Sequence, residues 1–322
     1  MSEHHLDVKA FLGIDNTSDL ASVSIQRKGG IYFYEIDNID IDDAGKIHRR
    51  DGYKTSIFTG DNIRSLWAND KICLFASHTN LKKLNTDNTT VTLISDVDET
   101  DPFSFVEHGD VVYFTNNSII GYIDTNTGLP YPFPEPVMSY KTKMVGGHIL
   151  EWYNSRLYAA NGSNLFFSDA TVPTRMDTRK NAIAFPSRIT MLKAVDDGLY
   201  VSDSKNVYFE NGGDPISEFV EVQRLDFPAI EGMSAVSVGQ DKASRKVAYW
   251  MTKNGPYTGY SGGIVTPQQE GLFSIEGLEY GTAIIKSGSY NQFLTIGKFK
   301  IGEGGSEGVF NLPASTETST ST

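Results

Sequence analysis

The sequence has a single cysteine, Cys73, set in the apolar run "KICLFAS". This excludes a disulfide framework and a thiolate metal cluster, and it reads as a buried core position. No stretch approaches the roughly 18 apolar residues of a membrane span. The start "MSEHHLDVKAFLGIDN" lacks a basic segment followed by an apolar one, so synthesis in a cytoplasm without a secretory signal is expected. Neither HExxH nor GxSxG is present, and the six histidines (His4, His5, His48, His78, His108, His148) are scattered without ligand spacing. "GEGGSEG" (302–308) lacks the Gly-Lys-Ser/Thr ending of a phosphate cradle and reads as a linker. No cofactor and no metal are expected. Cations are also scarce: 28 Lys and Arg stand against 40 Asp and Glu, a formal charge of −12, which excludes a diffuse grip on nucleic-acid phosphates.

The 322 residues are 39% hydrophobic, enough for a sizeable core, and 16 Tyr and 18 Phe without helical runs of Ala, Leu, Glu and Lys favour strands. Four segments repeat one pattern: "NDKICLFASHTNLKKLN", "HGDVVYFTNNSIIGYID", "NSRLYAANGSNLFFSD" and "DDGLYVSDSKNVYFEN". They begin at 69, 108, 154 and 196, spacings of 39, 46 and 42 residues. Each holds a turn, an apolar run, a polar step and a second run. A period near 40 with several strands per unit is the signature of a β-propeller, whose blades cover one another's faces. A fifth unit reads at 245–260, with Lys253, Asn254 and Gly255 as its tight turn, and a sixth at 271–302. The expected fold is all-β, a propeller of about six blades, with early strands from residue 29 completing the last blade and closing the ring. The expected organisation is a flexible arm over 1–28, the propeller over 29–302, and a low-complexity tail over 303–322.

Two acidic features bear on chemistry. Asp40, Asp42 and Gly45 match the first, third and sixth positions of a calcium loop, but Ala44 and Asp51 fail the fifth and twelfth, and the flanks read as strands, so a hairpin turn is expected. Glycoside hydrolysis needs only two carboxylates, yet no pair stands out among the 40 acidic residues, and no catalytic residue is expected.

Specific stretches resemble a known family. "IDNIDIDDAGKIHRRDGYKTSIF" (36–58) is similar to the opening hairpin of bacteriophage virion proteins of the propeller type. "RLYAANGSNLFFSDATVPTRMD" (156–177) and "FPSRITMLKAVDDGLYVSDSKNVYFENGGDPISEF" (185–219) resemble their later blades, with Ser-Asp after an aromatic strand and Gly-x-Asp-Pro before a new one. The resemblance spans about residues 11–240. It implies a structural tail component, as in nozzles, tail hubs and accessory rings, without the platform domain that nozzle proteins usually add. It further implies a virion location, a three-fold or six-fold ring of copies, contacts with other tail or connector proteins, and viral DNA passing through without specific binding. Part of the acidic charge would then face a DNA path.

Two groups are candidate subunit contacts: Phe11, Leu12 and Ile14 in the arm, apolar at a polar terminus, and Tyr131, Phe133 and Pro134 in the proline cluster "GLPYPFPEP" (128–136), read as exposed anchors. Each has an alternative, the arm packing on its own propeller and the cluster folding on the rim. Arg49 and Arg50 point to opposite faces of a strand and read as surface charges. The competing function is a binding propeller for a host surface glycan. There Trp152 is the stacking candidate, while Trp67 and Trp250 read as core.

Overall fold

The computed structural model describes residues 11–15, 31–33, 39–41, 47–49, 62–238, 245–268, 275, 277–286, 292–299 and 308–313. The chain divides into two compact units, residues 53–228 and a second made of residues 1–52 with 229–322.

In the discontinuous unit, strand β1 (Phe11–Ile14) pairs in parallel with β2 (Ile31–Phe33), and β3 (Ile39–Ile41) forms an antiparallel hairpin with β4 (Ile47–Arg49). The expected free arm therefore has a paired strand inside it. The hairpin expected in place of a calcium loop is present, flanked by strands.

The described residues of unit 53–228 form four consecutive four-stranded sheets and one two-stranded sheet. The first is β5 (Ile63–Ala68), β6 (Cys73–Ser77), β7 (Asn80–Leu84) and β8 (Thr90–Ile94). The second is β9 (Ser104–His108), β10 (Val111–Thr115), β11 (Ile120–Asp124) and β12 (Pro130–Pro132). In the third, β14 (Ile149–Tyr153), β15 (Arg156–Asn161), β16 (Asn164–Phe167) and β18 (Ala182–Ala184) make the ladder, while β13 (Lys141–Lys143) and β17 (Arg175–Asp177) leave it to pair with each other. The fourth is β19 (Ile189–Ala194), β20 (Gly198–Asp203), β21 (Val207–Asn211) and β22 (Val220–Leu225).

The repeated sequence pattern is the second and third strand of each sheet with the turn that enters them. Asn154 and Ser155, with φ of 41° and 60°, make the left-handed pair that a two-residue hairpin of matching twist requires. The second strands read as unbroken apolar runs because both their faces are covered: Leu74 to Ser77, Val112 to Thr115 and all of β20 are buried. Last strands such as β22 and β18 are largely exposed. Successive sheets are joined by cores. Leu74, Leu81, Val112, Phe114 and Ile123 link the first two, Tyr113, Leu150 and Leu157 the second and third, and Tyr158, Phe167, Leu192 and Val201 the third and fourth. Each such side chain contributes about 1.5–3 kcal/mol of burial. Cys73 opens β6 half-buried instead of fully buried, because only the residues after it enter the core, and burial raises its thiol pKa.

The discontinuous unit adds a fifth four-stranded sheet, β23 (Ser234–Val238), β24 (Lys246–Thr252), β25 (Gly255–Tyr260) and β26 (Ile264–Pro267), with a 3-10 turn at Ser261–Gly263. A three-stranded sheet follows: β27 (Leu278–Lys286), β28 (Gln292–Phe299) and β29 (Gly308–Pro313). Trp250 is fully buried in β24, and Tyr249 stacks on Phe293 with centroids 5.8 Å apart.

The fold is thus all-β and of the β-propeller type, with five four-stranded sheets and one three-stranded sheet among the described residues. One expectation needs correction. The tail expected from residue 303 contains β29, because "GVFNLP" supplies a strand-length segment that pairs with β28 from Gln292↔Pro313 to Gly297↔Gly308. Among the described residues β1 and β2 pair with each other, as do β3 and β4; the rest of the early stretch expected to close the ring lies outside the described residues.

Candidate subunit interface

The site grows from the edge of the second sheet. Pro130 and Pro132 cannot donate to a ladder, and they occupy the outermost strand, where donors on one side have no partner. The proline cluster is therefore partly a strand and not wholly a loop. Tyr131 lies opposite Tyr122 and stacks on it at 5.2 Å, remaining 39% exposed. Gly121 lets the strand approach, since a Cβ there would sit 2.7 Å from both Phe114 and the Tyr131 carbonyl oxygen.

Phe133 corrects the sequence reading. It is 5% exposed, packed edge-on to Tyr113 at 6.2 Å and tilted against Tyr122 at 6.2 Å. It pins the chain to the sheet while Pro134 after it is exposed. The exposed apolar side chains come later, at Val137 (100% exposed), Met138 (56%) and Tyr140 (61%). Phe11, Leu12 and Ile14 lie on β1 in the other unit, and their side chains fall outside the described residues.

A small platform carries these three residues. β13 pairs with β17 in the register Lys141↔Asp177, Thr142↔Met176 and Lys143↔Arg175, so a connector and a distant loop meet as a two-stranded sheet. Below it, Lys141 Nζ donates to Asp169 Oδ1 at 2.7 Å and lies 3.7 Å from Asp177 Oδ2. Arg175 Nε donates to Asp169 Oδ2 at 2.9 Å, and its Nη1 to Met138 Sδ at 3.4 Å. Arg179 grips Asp177 with Nε at 3.0 Å and Nη2 at 2.9 Å, and its guanidinium lies 4.0 Å from the centre of the Tyr140 ring.

Tyr140 has φ of 62°, a conformation that costs a bulky side chain of order 1–3 kcal/mol and persists only when neighbours impose it. Its carbonyl accepts from Thr178 N at 3.2 Å, and the Met138 carbonyl from Lys141 N at 3.2 Å. The exposed ring is held in place before any partner arrives, which lowers the entropy lost on binding. Hydrogen bonds from Arg179 hold the Asp177 carboxyl well below its ordinary value. At Asp169, burial opposes the charge, but hydrogen bonds from Lys141 and Arg175 outweigh it and lower the pKa. The two carboxylates are paired with Lys141, Arg175 and Arg179. They suit a rigid base under an apolar surface.

Trp152, the glycan-stacking candidate, is committed elsewhere. Its ring stacks on His108 at 3.9 Å and Tyr113 at 5.7 Å, filling the gap between the second and third sheets. Trp67 is half-buried against Phe105. Among the described residues no group of three His, Cys, Asp or Glu side chains could hold a metal ion, and no helix is long and apolar enough to cross a membrane.

Sequence reasoning reached Tyr131 but missed Val137, Met138, Tyr140 and Arg179. The apolar triplet within "EPVMSYK" was a usable signal for an exposed patch once Phe133 is assigned to the core. The pairing of β13 with β17 had no local signal.

No family model matches the sequence, and no curated protein matches it. Solved structures similar to the chain include the AfRom2 CNH domain (8% identity, TM-score 0.49, covering 86% of this chain and 94% of that one). Another is the Pan2 WD40 domain of Neurospora crassa (13%, 0.47, 72% and 71%). PorZ of the Porphyromonas gingivalis type-IX secretion system is also similar (12%, 0.45, covering 79% of this chain), and the chain spans 32% of its length.

Proposed function

We propose that the chain is a structural component of a bacteriophage tail, a ring-forming propeller that joins copies of itself and neighbouring tail or connector proteins, with viral DNA passing through and no catalysis. The observation that carries the assembly part of this reading is the platform: Val137, Met138 and the pre-positioned Tyr140 lie exposed over an ion-paired base. Tyr and Arg in ordered, partly desolvated settings are the residue types that anchor protein interfaces. The tail assignment itself rests on the sequence resemblance. The test is immunogold microscopy of phage particles with an antibody against this chain. Label on the tail supports the reading, and its height separates connector ring from tip. Absence of label from intact and disrupted particles would overturn it and favour the glycan-binding alternative.

A further inference from the structure

In the fourth sheet two carboxylates face each other across a ladder. Glu210 on β21 lies between Leu199 of β20 and Glu221 of the outer strand β22. Glu210 is 2% exposed, and its Oε1 has no hydrogen-bond partner among the described residues. Glu221 is exposed and directly opposite it in register, a placement in which two carboxyl groups can share one proton. Like charges directly opposite on neighbouring strands are destabilising, the more so when one is buried.

Several groups surround this pair. Tyr208 and Gln223 flank it along the strands and are tied to Asn206 by hydrogen bonds of 2.9 Å and 3.1 Å. Asp203 and Glu221 act on the Tyr208 phenol, whose pKa is raised chiefly by burial. Tyr153 and Tyr158 on the packed third sheet are raised by burial too, so these phenols remain neutral in the range that matters; Asp197 and Glu218 act on Tyr153, and Arg156 and Asp214 on Tyr158. Arg224 lies over the Phe209 ring at 5.9 Å, on the opposite side of the strand from Glu210.

We propose that Glu210 and Glu221 form a proton-operated latch: the shared proton fastens β22 to the sheet, and its loss to solvent frees that strand. Burial first, and then the Glu221 charge, push the Glu210 carboxyl up to about 8. A raised folded-state value means that the latch is fully fastened below the ordinary carboxylate range and is lost as pH rises through neutrality towards 8.

Amide hydrogen exchange over Val220–Leu225 of the full chain, corrected for the intrinsic pH dependence of exchange, tests this. Protection should fall by up to about tenfold per pH unit between the ordinary carboxylate range and 8, then level off. Glu210→Gln should make it flat with pH. Glu221→Gln keeps the buried acid but removes its charged neighbour, and should end the fall at a lower pH. Wild-type protection that does not change over this range would overturn the latch, as would a profile unchanged in either variant.

Discussion

The inter-sheet cores and the platform are two ways of fixing a β structure in one molecule. In the cores, residues close in sequence fold into hairpins and bury Tyr158, Phe167, Leu199 and Val201 between successive sheets. The platform brings residues 141–143 to residues 175–177 and holds them with Asp169, Asp177 and three cations. Apolar burial is non-directional and survives changes of pH and salt. Ion pairs are directional and respond to pH, and to salt the more as their groups are exposed. The first kind suits a framework and the second a contact surface, where geometry counts for more than stability.

Substitution can break that contrast, beginning where the effect is largest. Phe167→Ala empties a fully buried site and should cost about 3–5 kcal/mol of stability in chemical denaturation. Gly147→Ala would place a Cβ 2.1 Å from the Ala160 carbonyl oxygen where the second sheet leads into the third, and should cost about 1–3 kcal/mol in the same assay. Val137→Asp with Met138→Asp should change stability by about 0.5 kcal/mol or less, yet abolish self-association measured by sedimentation. Oligomers that persist in this double variant would remove the platform from the interface.

The smallest effect is acid loosening of the platform alone. Asp169 and Asp177 have lowered carboxyl values, so the stability they lend is present above about pH 4 and lost as pH falls through their folded values. Hydrogen exchange over 175–181 should rise on acidification while β15 and β20 remain protected. Asp169→Asn should remove part of that response. The sign is opposite to that at Glu210, so one pH series separates the two sites.

What could be read in the sequence follows the same division. The turns at Asn154-Ser155 and Lys253-Asn254-Gly255 are written in adjacent residues, so the second and third strands of the sheets were legible with their spacing. Phe133 misled because proline-rich segments read as exposed, and nothing local says that Tyr113 and Tyr122 form a pocket for it. "GVFNLP" was hidden by the Gly and Ser residues before it. Tyr140 and Arg179 are nearly forty residues apart, and only the pairing of β13 with β17 makes them neighbours.

One unit is built from both ends of the chain, residues 1–52 and 229–322. On a ribosome this sets an order of events. The four sheets of residues 53–228 are joined by cores of their own, so this unit has its partners once Pro228 has emerged. The middle of the protein can therefore fold before the fifth and sixth sheets have been translated.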